Sequence, residues 1–155
     1  MEKIGLFFGS FNPVHKGHIN IAKYVLSEQK LNKVLFILSP LNPFKIESKN
    51  ILLEVNHRYE ILKLATKKYK NMIPSDIEFG MKKPNYTFDT IAKLENIYPK
   101  KKFYLIMGSD NFKYFNKWKD YEKILTKYKL LIYPRYGEEK NSFLIKYNSV
   151  TFLKG

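Results

Sequence analysis

Lys3-Ile4-Gly5-Leu6-Phe7-Phe8-Gly9-Ser10-Phe11-Asn12-Pro13-Val14-His15-Lys16-Gly17-His18 opens the chain and decides how the rest is read. Lys3–Phe8 is a continuous apolar run bounded by a turn signal, which predicts a strand buried on both faces. From His18 to Gln29 the periodicity changes. Ile21, Ala22, Val25 and Leu26 recur on one face of a helix. A buried strand, a glycine-flanked loop and a helix are the first half of a βαβ unit.

The same alternation continues downstream. Lys33–Leu38 is a second buried strand, ended by Ser39-Pro40 and a loop with Asn42 and Pro43. Glu54–Tyr69 is predicted helical, with Tyr59, Leu62, Ala65 and Tyr69 near one face. Ile73–Glu78 is a short strand, and Phe88–Ile97 a helix with Thr87 as its N-cap. Phe103–Met107 is a strand running into Gly108, Lys113–Tyr128 is mostly helical, and Leu130–Tyr133 is a last strand stopped by Pro134. The predicted fold is α/β, a Rossmann-like doubly wound parallel sheet with helices on both faces. Ligands of such sheets bind outside the carboxyl ends of the strands. The segments to read for chemistry are therefore the loops that follow them.

Composition narrows the choice. The chain has 155 residues, 45% of them hydrophobic and 16% aromatic, enough for one domain that buries roughly 70% of its unfolded surface. There is no cysteine, which excludes a disulfide scaffold, a thiolate nucleophile and a thiolate metal site. No apolar run approaches the ~20 residues that span a bilayer, and the first residues lack a signal-peptide pattern. The expectation is a cytoplasmic protein without a membrane partner. The formal charge is +14, but of 28 basic residues only Arg58 and Arg135 are arginine, and the lysines are spread along the chain. A nucleic-acid footprint should cluster on one face. The charge is read as compositional, favourable to an anionic substrate and not to nucleic acid, and Arg58 as a surface helix residue.

In the first loop, Gly9 lets a ligand approach the backbone, and Gly17 lets the helix start pack closely. The helix N-terminus offers free N–H groups and a positive dipole end, both suited to phosphate. His15 and His18 are three apart and can share that end. A single histidine there is ordinarily a cap, but here two of the three histidines stand in one Gly-flanked HxGH. The loop matches neither the Walker A nor the GxGxxG pattern, and two histidines without a third ligand are a poor zinc site. No resident metal is predicted.

Gly9–His18 resembles the G-[GS]-[TS]-F-[DN]-P-[VI]-H-x-G-H motif of the HxGH nucleotidyltransferase superfamily. The chain as a whole resembles its bacterial nicotinate mononucleotide adenylyltransferase branch. Pro40–Lys45 resembles that branch's P-x-x-x-P-H-K loop, with Phe44 where His is usual. His57–Leu62 resembles its R-x-x-M-L helix, Pro84–Thr90 its P-S-Y-T-x-x-T segment, Ile106–Asp110 with Trp118 its G-x-D-x₇-W, and Pro134-Arg135 with Gly137 its P-R-x-G. Six motifs in order are a specific signal.

The resemblance implies adenylyl transfer from ATP, with Mg²⁺, to nicotinate mononucleotide, giving deamido-NAD and pyrophosphate in NAD biosynthesis. It implies His15, His18 and Lys45 as catalytic residues. ATP would contact Gly9, Ser10, Phe11, His15, His18, Gly108, Asp110 and Arg135. Nicotinate mononucleotide would contact Asn12, Lys45, Tyr86, Thr87 and Trp118. The family's closing I-S-S-T-x-I-R motif is not found in residues 1–155, where Asn148–Thr151 is a faint echo without the Arg. The expectation is one nucleotidyltransferase domain over 1–155 lacking that segment. Two alternatives stay open. Phosphopantetheine adenylyltransferase shares the fold and first motif, but carries Thr where this chain has His15 and lacks the Tyr86-Thr87 and Trp118 pattern. A basic nucleic-acid-binding module predicts steeply salt-dependent binding.

Overall fold

The structure, a computed structural model, describes residues 1–40, 54–82, 85–135 and 149–153. The elements run β1 (Lys3–Gly9), α1 (Lys16–Glu28), β2 (Lys33–Leu38), α2 (Val55–Thr66), β3 (Met72–Ser75), α3 (Thr87–Ile97), β4 (Lys102–Gly108), α4 (Ser109–Phe112), α5 (Tyr121–Lys127), β5 (Lys129–Tyr133) and β6 (Val150–Phe152). Short 3₁₀ turns occupy Ile77–Gly80 and Phe115–Lys117.

All six strands pair in parallel in one sheet, in the order β3-β2-β1-β4-β5-β6. β1 lies between β2 and β4, with Leu6 level with Leu35 on one side and Leu105 on the other. The order reverses between β1 and β4, so the crevice for a ligand opens beyond Gly9 and Gly108.

Alternation along each strand feeds two apolar layers. Ile4, Leu6, Leu35, Ile37 and Leu105 pack with Ile91 and Leu94 of α3 and with Ile124 and Leu125 of α5. Phe7, Val34, Phe36, Leu38 and Ile106 pack on the other face with Ile19, Ala22 and Val25 of α1 and with Leu62 of α2. Each Val, Leu, Ile or Phe among them contributes about 1.5–3 kcal/mol through burial. The two layers hold the strand ends, and hence the site loops, in fixed register.

The predicted fold class is what the structure has, and four element readings change. β3 ends at Ser75 and gives way to the Ile77–Gly80 turn. Pro74 sits on this edge strand, where a missing N–H is tolerated. α2 stops at Thr66, and its buried stripe is Arg58, Leu62 and Thr66. The helix predicted over Lys113–Tyr128 is instead a 3₁₀ turn followed by α5. Trp118 is extended, and Asp120, at φ 57°, adopts a left-handed conformation that a continuous helix cannot contain. A sixth strand, β6, pairs with the edge of β5.

Candidate active site

Two neighbouring cavities open at the carboxyl ends of the strands. The first, of about 430 Å³, is bounded by His15, Gly17, His18 and Tyr24 from α1 and its cap, by Tyr133 at the end of β5, and by Pro134 and Arg135 beyond it. The second, of about 70 Å³, lies between the ends of β1 and β4, the start of α3 and Trp118.

The start of α1 is capped by histidine instead of the usual serine or aspartate. His15 is the N-cap, and its Nδ1 accepts a hydrogen bond from the Gly17 N–H at 3.0 Å. In return His18 Nδ1 accepts from the His15 N–H at 3.1 Å. This is a reciprocal capping box. An imidazole whose Nδ1 accepts must carry its proton on Nε2. Each ring therefore carries its proton on Nε2. Their centroids are 4.0 Å apart. Phe7 and Phe11 meet the His18 ring edge-on at 5.9 and 5.1 Å, fixing its plane.

Close approach at this helix start requires glycine. A Cβ on Gly17 would stand 2.8 Å from His15 Cε1. Phe11, at φ 41°, turns the preceding loop through the left-handed region, and its ring is buried. Any nucleotide contact by Phe11 is thus restricted to its backbone. The peptide between Asn12 and Pro13 is cis.

At the other side of the switch point, Ser109 ties β4 to the segment after β5. Its Oγ accepts from the Arg135 N–H at 2.8 Å and donates to the Arg135 carbonyl at 3.1 Å. Asp110 Oδ2 lies 3.5 Å from Arg135 Nε. Asp110 Oδ1 is buried without a hydrogen-bond partner. It would be 2.6 Å from a Cβ on Gly108, so that glycine leaves room for the carboxylate.

The smaller cavity is lined by Gly9, Ser39, Glu78, Asn85, Tyr86, Thr87, Met107, Asn111, Trp118 and Lys119, among others. Tyr86, not Thr87, is the N-cap of α3, and Thr87 is the first helical residue. The Thr87 side chain is thus free of the capping role predicted for it, while its N–H belongs to the unpaired first turn. Trp118 packs against Phe115 at 5.0 Å between centroids. Lys119 lies over the Tyr86 ring and 3.4 Å from Asp89.

The structure brings together His15, His18 and Arg135 in one cavity and Gly9, Tyr86, Thr87 and Trp118 in the other. Gly108 ends β4, and Asp110 follows in α4. Ser10 and Asn12 lie in the loop after β1. Lys45 and Gly137 fall outside the described residues, as does most of the Pro40–Lys45 loop.

Arg58 overturns the sequence expectation. It is 2% exposed, and its guanidinium donates to the carbonyls of Ser10 at 2.7 Å, Ser39 at 3.0 Å and Pro40 at 3.2 Å. It thereby ties the loop after β1 to the loop after β2. Burial pushes its pKa down. The available signal was spacing: Arg58 lies four residues before Leu62 and eight before Thr66, on one helix stripe. Ser109 and Glu78 were also missed, because neither serine nor glutamate carries a distinctive local pattern.

A cytidylyltransferase-like family model matches residues 6–152. A Flavobacterium psychrophilum protein named "Probable nicotinate-nucleotide adenylyltransferase" is 44% identical over 133 residues, covering 86% of this chain and 68% of that one. A Cytophaga hutchinsonii protein of the same name is 42% identical over 148 residues, covering 96% of this chain and 76% of its own length. The fold superposes on a Plasmodium falciparum nicotinic acid mononucleotide adenylyltransferase complexed with NaAD, with a TM-score of 0.82. That match has 18% identity and covers 99% of this chain and 75% of the other.

Proposed function

The chain belongs to the nicotinate-nucleotide adenylyltransferase family, within the cytidylyltransferase-like group, and from that membership we propose how its two cavities divide the substrates. ATP lies against the start of α1, and nicotinate mononucleotide lies between α3 and Trp118. The observation that carries this reading is the histidine capping box. It presents two neutral imidazoles with Nε2–H donors at a helix N-terminus, beside a cavity large enough for a nucleotide.

In the reaction, an oxygen of the acceptor's 5′-phosphate attacks the α-phosphorus of ATP in line. The new P–O bond forms as the bond to the bridging oxygen breaks, and pyrophosphate leaves with the electron pair. The protein's task is to align the two phosphates and to meet the growing negative charge. His15 and His18 donate from Nε2 to phosphoryl oxygens, and the first N–H groups of α1 add their dipole. Gly9 and Ser10 bring backbone close to the triphosphate, while Asp110 Oδ1 and Arg135 take the adenosine side. Lys45 and Asn12 meet the acceptor's phosphate. Mg²⁺ bound to ATP would supply neutralisation of the triphosphate charge.

Trp118 and Tyr86 flank the pyridine ring. Its carboxylate meets the N–H groups at the start of α3 and the Thr87 hydroxyl. An acid suits such donors better than the isosteric amide, by roughly 5- to 150-fold when a buried donor would otherwise be left unpaired. The test is pyrophosphate release with ATP and, in turn, nicotinate mononucleotide, nicotinamide mononucleotide and phosphopantetheine. Nicotinate mononucleotide should give the highest kcat/KM, and turnover with phosphopantetheine alone would reject the assignment.

A further inference from the structure

Behind the smaller cavity lies a buried carboxyl that the mechanism above does not use. Glu78, in the turn after β3, is 1% exposed and lines the same cavity as Thr87 and Trp118. Its side chain is held by two hydroxyls. Ser39, just after β2, donates to Oε1 at 3.1 Å, and Thr90 of α3 donates to Oε2 at 2.7 Å. Its carbonyl accepts from Asn85 Nδ2 at 3.4 Å. Glu78 thus joins the end of β2, the loop before α3 and the first turns of α3.

The charged groups around it are set back. Arg58, on α2, reaches the Ser39 carbonyl and not the carboxylate. Lys119 lines the cavity but lies against Asp89 and the Tyr86 ring. Asp76 precedes Glu78 by two residues in the same turn. Ser39, Asn85, Thr87 and Thr90 face it from the other elements and are uncharged. Among the described residues, then, no cation pairs directly with Glu78. Burial pushes its carboxyl above the usual carboxylate range, while the two hydroxyl hydrogen bonds pull it partly back.

Resting on the assignment of this cavity to the pyridine end of the acceptor, we propose that Glu78 is a positioning residue whose protonation sets the preference between an anionic and a neutral pyridine substituent. With Glu78 protonated, the cavity floor is neutral and the donors at α3 favour the acid. With Glu78 ionised, a second negative charge shares a small cavity with the acceptor's carboxylate, and the acid loses its advantage. The neutral amide is indifferent to that charge. Since Glu78 loses its proton as pH rises, preference for the acid should fall with rising pH.

The experiment measures dinucleotide formation from ATP with each mononucleotide between pH 5.5 and 8.5 at constant ionic strength. The quantity read is the ratio of kcat/KM for the acid to that for the amide. Both acceptors carry the same 5′-phosphate, so its titration and that of ATP cancel in the ratio. The wild type should show a fall of at least about fivefold across the range. Glu78→Gln keeps the hydrogen-bonding shape without the charge, and should hold the low-pH ratio throughout. Thr90→Val removes a hydrogen bond to the charged form and should move the transition to higher pH. A wild-type ratio that stays constant with pH, or a Glu78→Gln profile parallel to the wild type, overturns the proposal. Absence of product with both mononucleotides would instead overturn the acceptor assignment beneath it.

Discussion

Arg58 shows how far one residue's role can lie from its local appearance. In the sequence it is one of many cations on a helix. In the structure it is a buried bracket that donates to three carbonyl oxygens and joins two site loops. The reason it was not legible is physical: its partners are backbone groups of remote loops, which leave no side-chain pattern. Arg58→Leu leaves those carbonyls unpaired, at roughly 1–3 kcal/mol for each one that finds no water. Urea unfolding should show a loss of at least ~2 kcal/mol, with Arg58→Lys recovering only part because it lacks the planar fork. Trp118 lines the smaller cavity. If it stacks on the pyridine ring as proposed, that surface does not read the ring's substituent, and Trp118→Ala should raise KM for both mononucleotide acceptors by a similar factor. A change confined to one of them would remove Trp118 from the ring-binding surface.

Elements with sustained periodicity were legible, and short or edge elements were not. β1, β2, β4 and β5 follow from their apolar runs, and α1 from its stripe. β6 has three residues, too few for any pattern, and owes its conformation to the exposed edge of β5. The segment around Trp118 carries helix-compatible residues on both sides, but tertiary packing of Phe115 and Trp118 outweighs that propensity. At the start of α1, packing and function make opposing demands. Gly17→Ala should favour the helix by up to about 1 kcal/mol, yet its Cβ meets the His15 ring. Displacing that ring costs the cap about as much as the helix gains, so the variant should melt near the wild type while losing at least about tenfold in kcat. Loss of activity accompanied by an equal loss of stability would show that Gly17 serves folding alone.

The whole molecule explains why most chemistry-bearing residues fall in loops. A doubly wound sheet gathers the loops after its strands at one edge, and reverses strand order between β1 and β4 to leave a crevice there. That much could be read from alternating strand and helix patterns. The division of the crevice into two cavities could not, because it depends on how α3 and the Trp118 segment pack. Charge also acts at this scale. With a net charge of +14, the field would favour an anionic substrate such as ATP, and salt screens it over ~8–10 Å. Raising ionic strength from 0.05 to 0.5 M should, on this account, raise KM for ATP a few-fold and leave kcat unchanged, an estimate from screening of exposed charge. A matching fall in kcat would place the salt-sensitive charges inside the site.

The account rests on the histidine pair at the start of α1, and a single-turnover measurement with saturating ATP and nicotinate mononucleotide tests it most directly. Loss of the cap costs only about 1 kcal/mol, so His15→Ala and His18→Ala should remain folded, which circular dichroism checks. His18→Ala should slow adenylyl transfer by at least ~10²-fold, as expected when a donor to the transition state is removed. Wild-type rates for both variants would contradict the account and move the chemistry away from this loop.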